Sequence, residues 1–443
     1  MFRRFFQNLR QRKPSRQNTP RWKHRLRLGA FEDRVLLSTF SWAADVSGDF
    51  NAASNWNGPN NTHAVPGPGD DASIGWGDIT VTVSGSTSVQ NLNSAATLDL
   101  TAGSLSLSNS PDQQYGSQLA ELNMADGTTL NLAAGSAGSS YKYSIRSALS
   151  SQSQLSGTVN IGANASLDLG NFNLTGTLNA SLGANVTLQG RTMQVSGGSL
   201  AGGGLYTVAG SAYYGPELKL NNDVTVQNLD VDGNNIIDGT GNINVGTSTS
   251  PGNFTFIGGT LKSTGTITVP VGATFTANPN PGPDLEMNLD NFGSFYLEAG
   301  LFSPWLVIGE AVPGATLTNE PGGVIQLSNG AQIDSLPGSV GGQLVNLGTI
   351  CADAGSGGIA QLYCPLNNQG TIVVQAGSTL QLGNQVTSTN ALFQVDTGSV
   401  LELNYQTSGP VTLFSGTKIQ GAGYADLVNG RLDVAGAVTV DNF

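Results

Sequence analysis

From about residue 80 onward the chain is written in short runs of alternating apolar and polar residues, each closed off by Gly, Asn, Ser or Asp. A period of two between turn-forming residues predicts strands of about 4–6 residues. One recurring unit is a small turn followed by such a strand: "AGSLSLS" at Gly103, "GANASLDLG" at Gly162, "GANVTLQG" at Gly183, "QAGSTLQLGN" at Gly377 and "DTGSVLELN" at Gly398. A second is "SGTVNI", "TGTLNA", "TGNINV", "TGTITV", "NLGTICA" and "NQGTIVV". Like units return after 21 residues (Gly162 to Gly183, Gly377 to Gly398) or 22 (Gly348 to Gly370).

A lone strand of this length cannot bury its apolar side. Stacking one coil on the next joins the Leu, Val and Ile of successive units into an inner column and leaves Thr, Ser, Asn and Gln outside, which is the logic of a solenoid. A sandwich or antiparallel barrel would give turn signals at 8–12-residue spacing without a sustained family of similar units. The prediction is an all-β chain, a right-handed parallel β-helix (β-solenoid) from about residue 75 to 443. Some 16 coils at a strand spacing of about 4.8 Å would make a rod about 75 Å long. Composition agrees: Gly is 60 of 443 residues, and charged residues are 11% against about 25% in ordinary domains.

The stretch "FSWAADVSGDFNAASNWNGPNNTHAVPGPGDDASIGW", Phe40 to Trp76, departs from the pattern and holds three of the five tryptophans. A solenoid leaves a raw sheet end and an open apolar bore, so its terminal coils must be atypical. Trp42, Phe50 and Trp56 supply large apolar faces, flanked by Asn55, Asn57, Asp70 and Asp71 as turn and hydrogen-bonding groups. Residues 39–80 therefore read as an N-terminal cap and 81–443 as repeats. The rival reading makes the same tryptophans an exposed platform for sugar rings; burial or exposure of Trp42 and Trp56 separates the two.

Charge is divided between two regions. Residues 1–34 carry eleven Lys or Arg and two acids, a net of +9, whereas the remaining 409 residues hold 7 bases and 28 acids, a net of -21. So negative a body repels phosphate backbones, which argues against nucleic acid as its partner. Residues 1–38 read as a basic, disordered targeting leader without the apolar stretch of an ordinary secretory signal; its aromatics, Phe2, Phe5, Phe6 and Trp22, also suit an arm for an anionic membrane or nucleic acid. No run of 18 apolar residues exists, so no transmembrane helix is expected. The last residues, "AVTVDNF", stop in strand-like text, which fits a free-ended secreted protein or a shortened reading frame.

Within the leader, "FEDRVLLS" (Phe31–Ser38) resembles the short N-terminal element, roughly L-E-P-R-x-L-L-S, of large repetitive surface proteins of bacteria such as planctomycetes; Phe31 stands for the Leu and Asp33 for the Pro. The pattern F-x-W, G-x-F, N-W and "PGPGDDASI" is similar to a motif that opens the β-helix in many secreted bacterial repeat proteins, with Phe50 where a Trp is usual. The repetitive body resembles the passenger and filament regions of adhesins and autotransporter-like proteins. These resemblances imply export and an extracellular or cell-surface location; the Ser/Thr/Asn/Gln-rich outer faces, with few groups able to exchange protons near neutral pH, point to a structural or adhesive role toward surface glycans or other surface proteins.

Catalytic constellations are scarce in the repeats. His24 lies in the leader and His63 in an Asn-rich loop, so no Ser-His-Asp set or His-based zinc site can be built from the repeats. No catalytic residue and no cofactor is assigned. The best metal candidate is "LDVDGNNIIDG", where Asp230, Asp232, Asn234 and Asp238 offer hard oxygen ligands for calcium; the spacing breaks the EF-hand pattern, and an Asp/Asn turn between coils is the plainer reading. Cys351 and Cys364 could close a loop worth up to roughly 3 kcal/mol if oxidised, or remain two buried thiols. The leading expectation is a non-enzymatic surface protein. A polysaccharide lyase or hydrolase on the same scaffold is the alternative, since glycoside hydrolysis needs only two suitably spaced acids.

Overall fold

A computed structural model describes residues 38–443 except 110–115, 136–140, 149, 211–214, 279–281, 299–304, 311–313, 336–340 and 405–408. The expected leader and its "FEDRVLLS" element, up to residue 37, lie outside the described residues.

Most coils contribute three short strands, one to each of three ribbons, while Asn91–Leu100 and Gln118–Met124 each run through the first two ribbons as a single strand. Ala165–Leu169 lies on the first ribbon, Phe172–Leu174 on the second and Thr177–Ala180 on the third. The chain then returns to the first with Asn185–Leu188, placing Val186 on Leu167. Met193 falls on Phe172, and Leu200 on Leu178, in the same parallel register. The third ribbon runs as six strands followed by ten, sixteen in all. The described chain is thus an all-β parallel β-solenoid.

The alternation seen in the sequence decides which way each side chain points. Within strands such as Thr129–Leu132 and Thr379–Leu382 every second residue is buried, and the inward residues of successive coils stack directly. On the first ribbon this produces an aromatic column: Phe254 and Phe275 lie 4.8 Å apart between ring centroids, and Phe275 and Phe295 stack at 5.1 Å with planes 8° apart. Tyr206 stands lower in the same column, and its hydroxyl donates to the carbonyls of Leu178 and Ala201 at 2.8 and 2.7 Å. That satisfies the one polar atom the ring carries inside. Burial pushes its phenol well above the ordinary range.

Polar side chains inside the bore are organised in the same way. Asn291, Asn319, Asn346 and Asn368 end four successive strands of the third ribbon and are fully buried. Each amide donates to the next: Asn291 to Asn319 at 2.9 Å, Asn319 to Asn346 at 2.8 Å and Asn346 to Asn368 at 2.7 Å. The same three amides also donate to the carbonyls of Val324, Thr349 and Thr371, where the chain enters the first ribbon. The ladder therefore ties the end of each third-ribbon strand to the first residue of a first-ribbon strand.

The two ends differ. At the N-terminal end Thr39–Trp42 pairs parallel with Asp71–Ile74 and antiparallel with Trp56–Asn57, the one antiparallel strand pair among the described strands. The chain turns back across the first coil and brings Trp42, Phe50 and Trp56 together. Trp42 meets Trp56 edge-on at 5.0 Å, and Phe50 meets it at 4.9 Å. The Trp56 indole N–H donates to the Phe50 carbonyl at 2.7 Å. A Cβ at Gly58 would come within 2.5 Å of the Phe40 ring, so only glycine lets the returning strand lie this close. In the last coil, by contrast, Tyr424, Val428, Val434 and Val440 are exposed.

One feature of the repeats reads differently in three dimensions. "TGTLNA" and "TGTITV" form third-ribbon strands, whereas "NLGTICA" and "NQGTIVV" form first-ribbon strands. Similar wording does not mark one ribbon, because all three present the same problem to the sequence: a turn, then an inside-outside alternation.

Candidate functional site

Ionisable groups are unevenly spread over the outside. Across the sixteen strands of the third ribbon, only Asp290 and Asp433 are ionisable. The second ribbon carries a charged line. Lys219 faces Asp238 across one strand pair and Glu217 at 3.4 Å on its own strand, and Lys262 reaches Asp238 at 3.5 Å. Continuing the register, Glu286 stands on the next coil in line with Lys262.

This line ends in a group of three carboxyls. Asp284 is pushed up to about 7, first by burial, then by the neighbouring charges of Glu310 and Glu286, and by a hydrogen bond with Glu310. Two carboxyls so placed hold a proton near neutral pH, because both cannot ionise side by side. Trp305, 42% exposed, lies against Gly282, two residues before Asp284. The arrangement offers a carboxylic acid near neutrality, with an exposed indole two residues away along the neighbouring strand. The signal in the sequence was the alternation in "PDLEMNL", which puts Asp284 and Glu286 on the same outward side; Glu310 joins them only through the stacking of coils.

The residues singled out from the sequence separate as follows. Trp42 and Trp56 are buried, Trp56 completely, so they form no sugar platform; the third tryptophan of the stretch, Trp76, is exposed and stands apart from the cluster. Asp70 accepts from the Gly67 N–H at 2.8 Å, and Asp71 accepts from the Asn91 amide at 2.6 Å. Both carboxylates hold turns and strand starts at the first coil. Asp230 sits on the first ribbon, Asp232 and Asn234 follow in the turn, and Asp238 is on the second ribbon with Lys262. Among the described residues, no three His, Cys, Asp or Glu side chains form a group that could hold a metal ion. Cys351 and Cys364 are not joined: both are buried free thiols. Cys351 belongs to a first-ribbon strand and its sulfur lies 2.9 Å from the Gln375 side-chain amide, whereas Cys364 follows a second-ribbon strand and is packed in the core.

The class these features define is a parallel β-solenoid repeat protein with an aromatic N-terminal cluster. Comparison with protein-family models, curated proteins and solved structures finds no match.

Proposed function

We propose that this chain is a secreted or cell-surface structural and adhesive protein, a rod that presents ordered polar faces to surface glycans or to other surface proteins. The observation that carries this reading is the long outer array of short polar side chains held in register from coil to coil, as where Asn131, Asn160 and Asn179 hydrogen-bond in sequence at 3.0 and 3.1 Å. Such groups are already ordered before a partner arrives, so little side-chain entropy is lost on contact. The basic leader and its "FEDRVLLS" element support export. The test is binding of the full chain to a panel of surface polysaccharides and to intact bacterial cells. Saturable binding without turnover is expected, and no binding to any glycan or cell would overturn the proposal.

A second reading, a carbohydrate-active enzyme, is favoured by one observation: the protonatable Asp284 beside Glu310, with the exposed Trp305 on the neighbouring strand. A carboxyl near 7 next to a second carboxyl is the pairing that proton donation to a glycosidic oxygen uses. Cleavage of any polysaccharide in that panel, abolished by Asp284→Asn, would establish this reading instead.

A further inference from the structure

We infer that the third ribbon is a lateral association face whose occupant is a second copy of this chain. The inference rests on the structural reading above and names a partner for it. Three observations lead to it.

The first is charge. The body carries a net of -21, so two copies repel wherever acidic faces meet. The second ribbon carries Glu217, Asp238, Asp284, Glu286 and Asp334 against Lys219 and Lys262 on or beside its strands, an acidic excess that its own copy repeats. The third ribbon has two acids and no base within its sixteen strands, with Asp223 and Arg431 directly preceding two of them; Arg431 pairs with Asp433, and Asp290 is half-buried with Thr318 as a hydrogen-bonding partner.

The second is self-complementarity. In the outward columns Thr129, Thr158 and Thr177 run parallel to Asn131, Asn160 and Asn179. A hydroxyl and a carboxamide each both donate and accept, so a face made of them complements its own copy without any ion pair. The ladder along the rod uses one donor of each amide and the oxygens of Asn131 and Asn160 as acceptors, so each amide keeps a second N–H and a further lone pair that the ladder does not use.

The third is pitch and area. Successive strands repeat at about 4.8 Å, and a second copy matches that repeat at every coil, which a non-periodic protein surface cannot do. Sixteen strands about four residues wide cover roughly 1,000 Å², against about 800 Å² per partner in a standard-size interface.

The test is sedimentation equilibrium of the full chain at low and high salt. Screening removes the repulsion between the acidic bodies, so the dimer dissociation constant should fall at least about tenfold between ~0.02 and ~0.5 M salt. Thr158→Glu with Thr177→Glu should abolish the dimer. Thr187→Glu with Thr207→Glu, which adds the same charge to the first ribbon, should leave it in place. Thermal melts establish that both variants fold. The pair Thr158→Lys and Thr177→Lys separates the face from overall charge: it lowers the net negative charge yet should still abolish association. A chain that stays monomeric at every salt concentration, or that is weakened equally by the first- and third-ribbon pairs, overturns the proposal. So does a monomer whose neutral-glucan binding is lost with Thr158→Glu and Thr177→Glu, since the face would then belong to a glycan. Dimers that bind neither glycans nor cells would leave this inference standing while the adhesive reading fails.

Discussion

Trp56 is the residue around which the N-terminal end is built: fully buried, edge-on to both Trp42 and Phe50, and tied by its indole N–H to the Phe50 carbonyl. Removing the ring leaves a cavity that the returning strand cannot refill, so Trp56→Ala should cost about 3–5 kcal/mol in urea unfolding. A loss below about 1 kcal/mol would show that the cluster is not interior. Asp284 carries a different prediction. Its folded-state pKa is raised from the ordinary carboxylate range to about 7, so between about pH 4 and 7 the folded chain holds a proton that the unfolded chain has released. Its contribution is complete below about pH 4 and is lost as the pH rises through about 7. Asp230, Asp290 and Asp334 shift in the same direction, each mainly through burial. The urea midpoint should therefore fall across that window, and Asp284→Asn should flatten the upper part of the fall. An unchanged slope in the variant would exclude Asp284 as its source.

At the scale of the element, the asparagine ladder decides how one coil is seated on the next. Asn346 accepts from Asn319, donates to Asn368 and donates again to the Thr371 carbonyl. Asn346→Ala removes all three bonds at once, leaving the Asn368 side-chain oxygen without its donor and the Asn319 amide nitrogen with only its bond to Thr349, at a cost of about 2–4 kcal/mol given 1–3 kcal/mol for an orphaned buried group. Asn368→Ala at the ladder's end should cost less, because Asn346 keeps its bond to Thr371. Comparing the two unfolding curves checks the order, and equal losses would mean that the ladder does not act through its continuity. The strands beside this ladder were legible as a turn and an alternation in "NLGTI" and "NQGTI". The ladder was not, since an Asn at a strand end reads equally well as a solvated turn residue until the next coil covers it.

At the scale of the whole molecule, each coil leans mainly on its neighbours, so opening begins where a coil has one neighbour and little cover. The last coil, through Tyr424–Asn429, Leu432–Ala435 and Thr439–Val440, leaves large apolar side chains exposed, while the first is covered by the tryptophan cluster. Native-state hydrogen exchange should therefore be fastest in residues 424–443 and slow around residues 71–83, with the N-terminal coils loosening in Trp56→Ala. Uniform exchange along the chain would contradict nearest-neighbour coupling.

The sequence by itself determined the solenoid, the inside and outside of each strand, and the need for an aromatic cluster where the repeats begin. Each of these rests on local alternation, on turn residues or on a composition break, and all three survive translation along the chain. Which ribbon a strand joins, which polar groups meet and which charges share a face were decided by the tertiary structure alone. Successive coils differ in length, and contact is set by register across coils, not by distance along the chain. That is why Asp230 and Asp238, close in sequence, lie on different ribbons, while Asp284 and Glu310, a full coil apart, come to share a hydrogen bond.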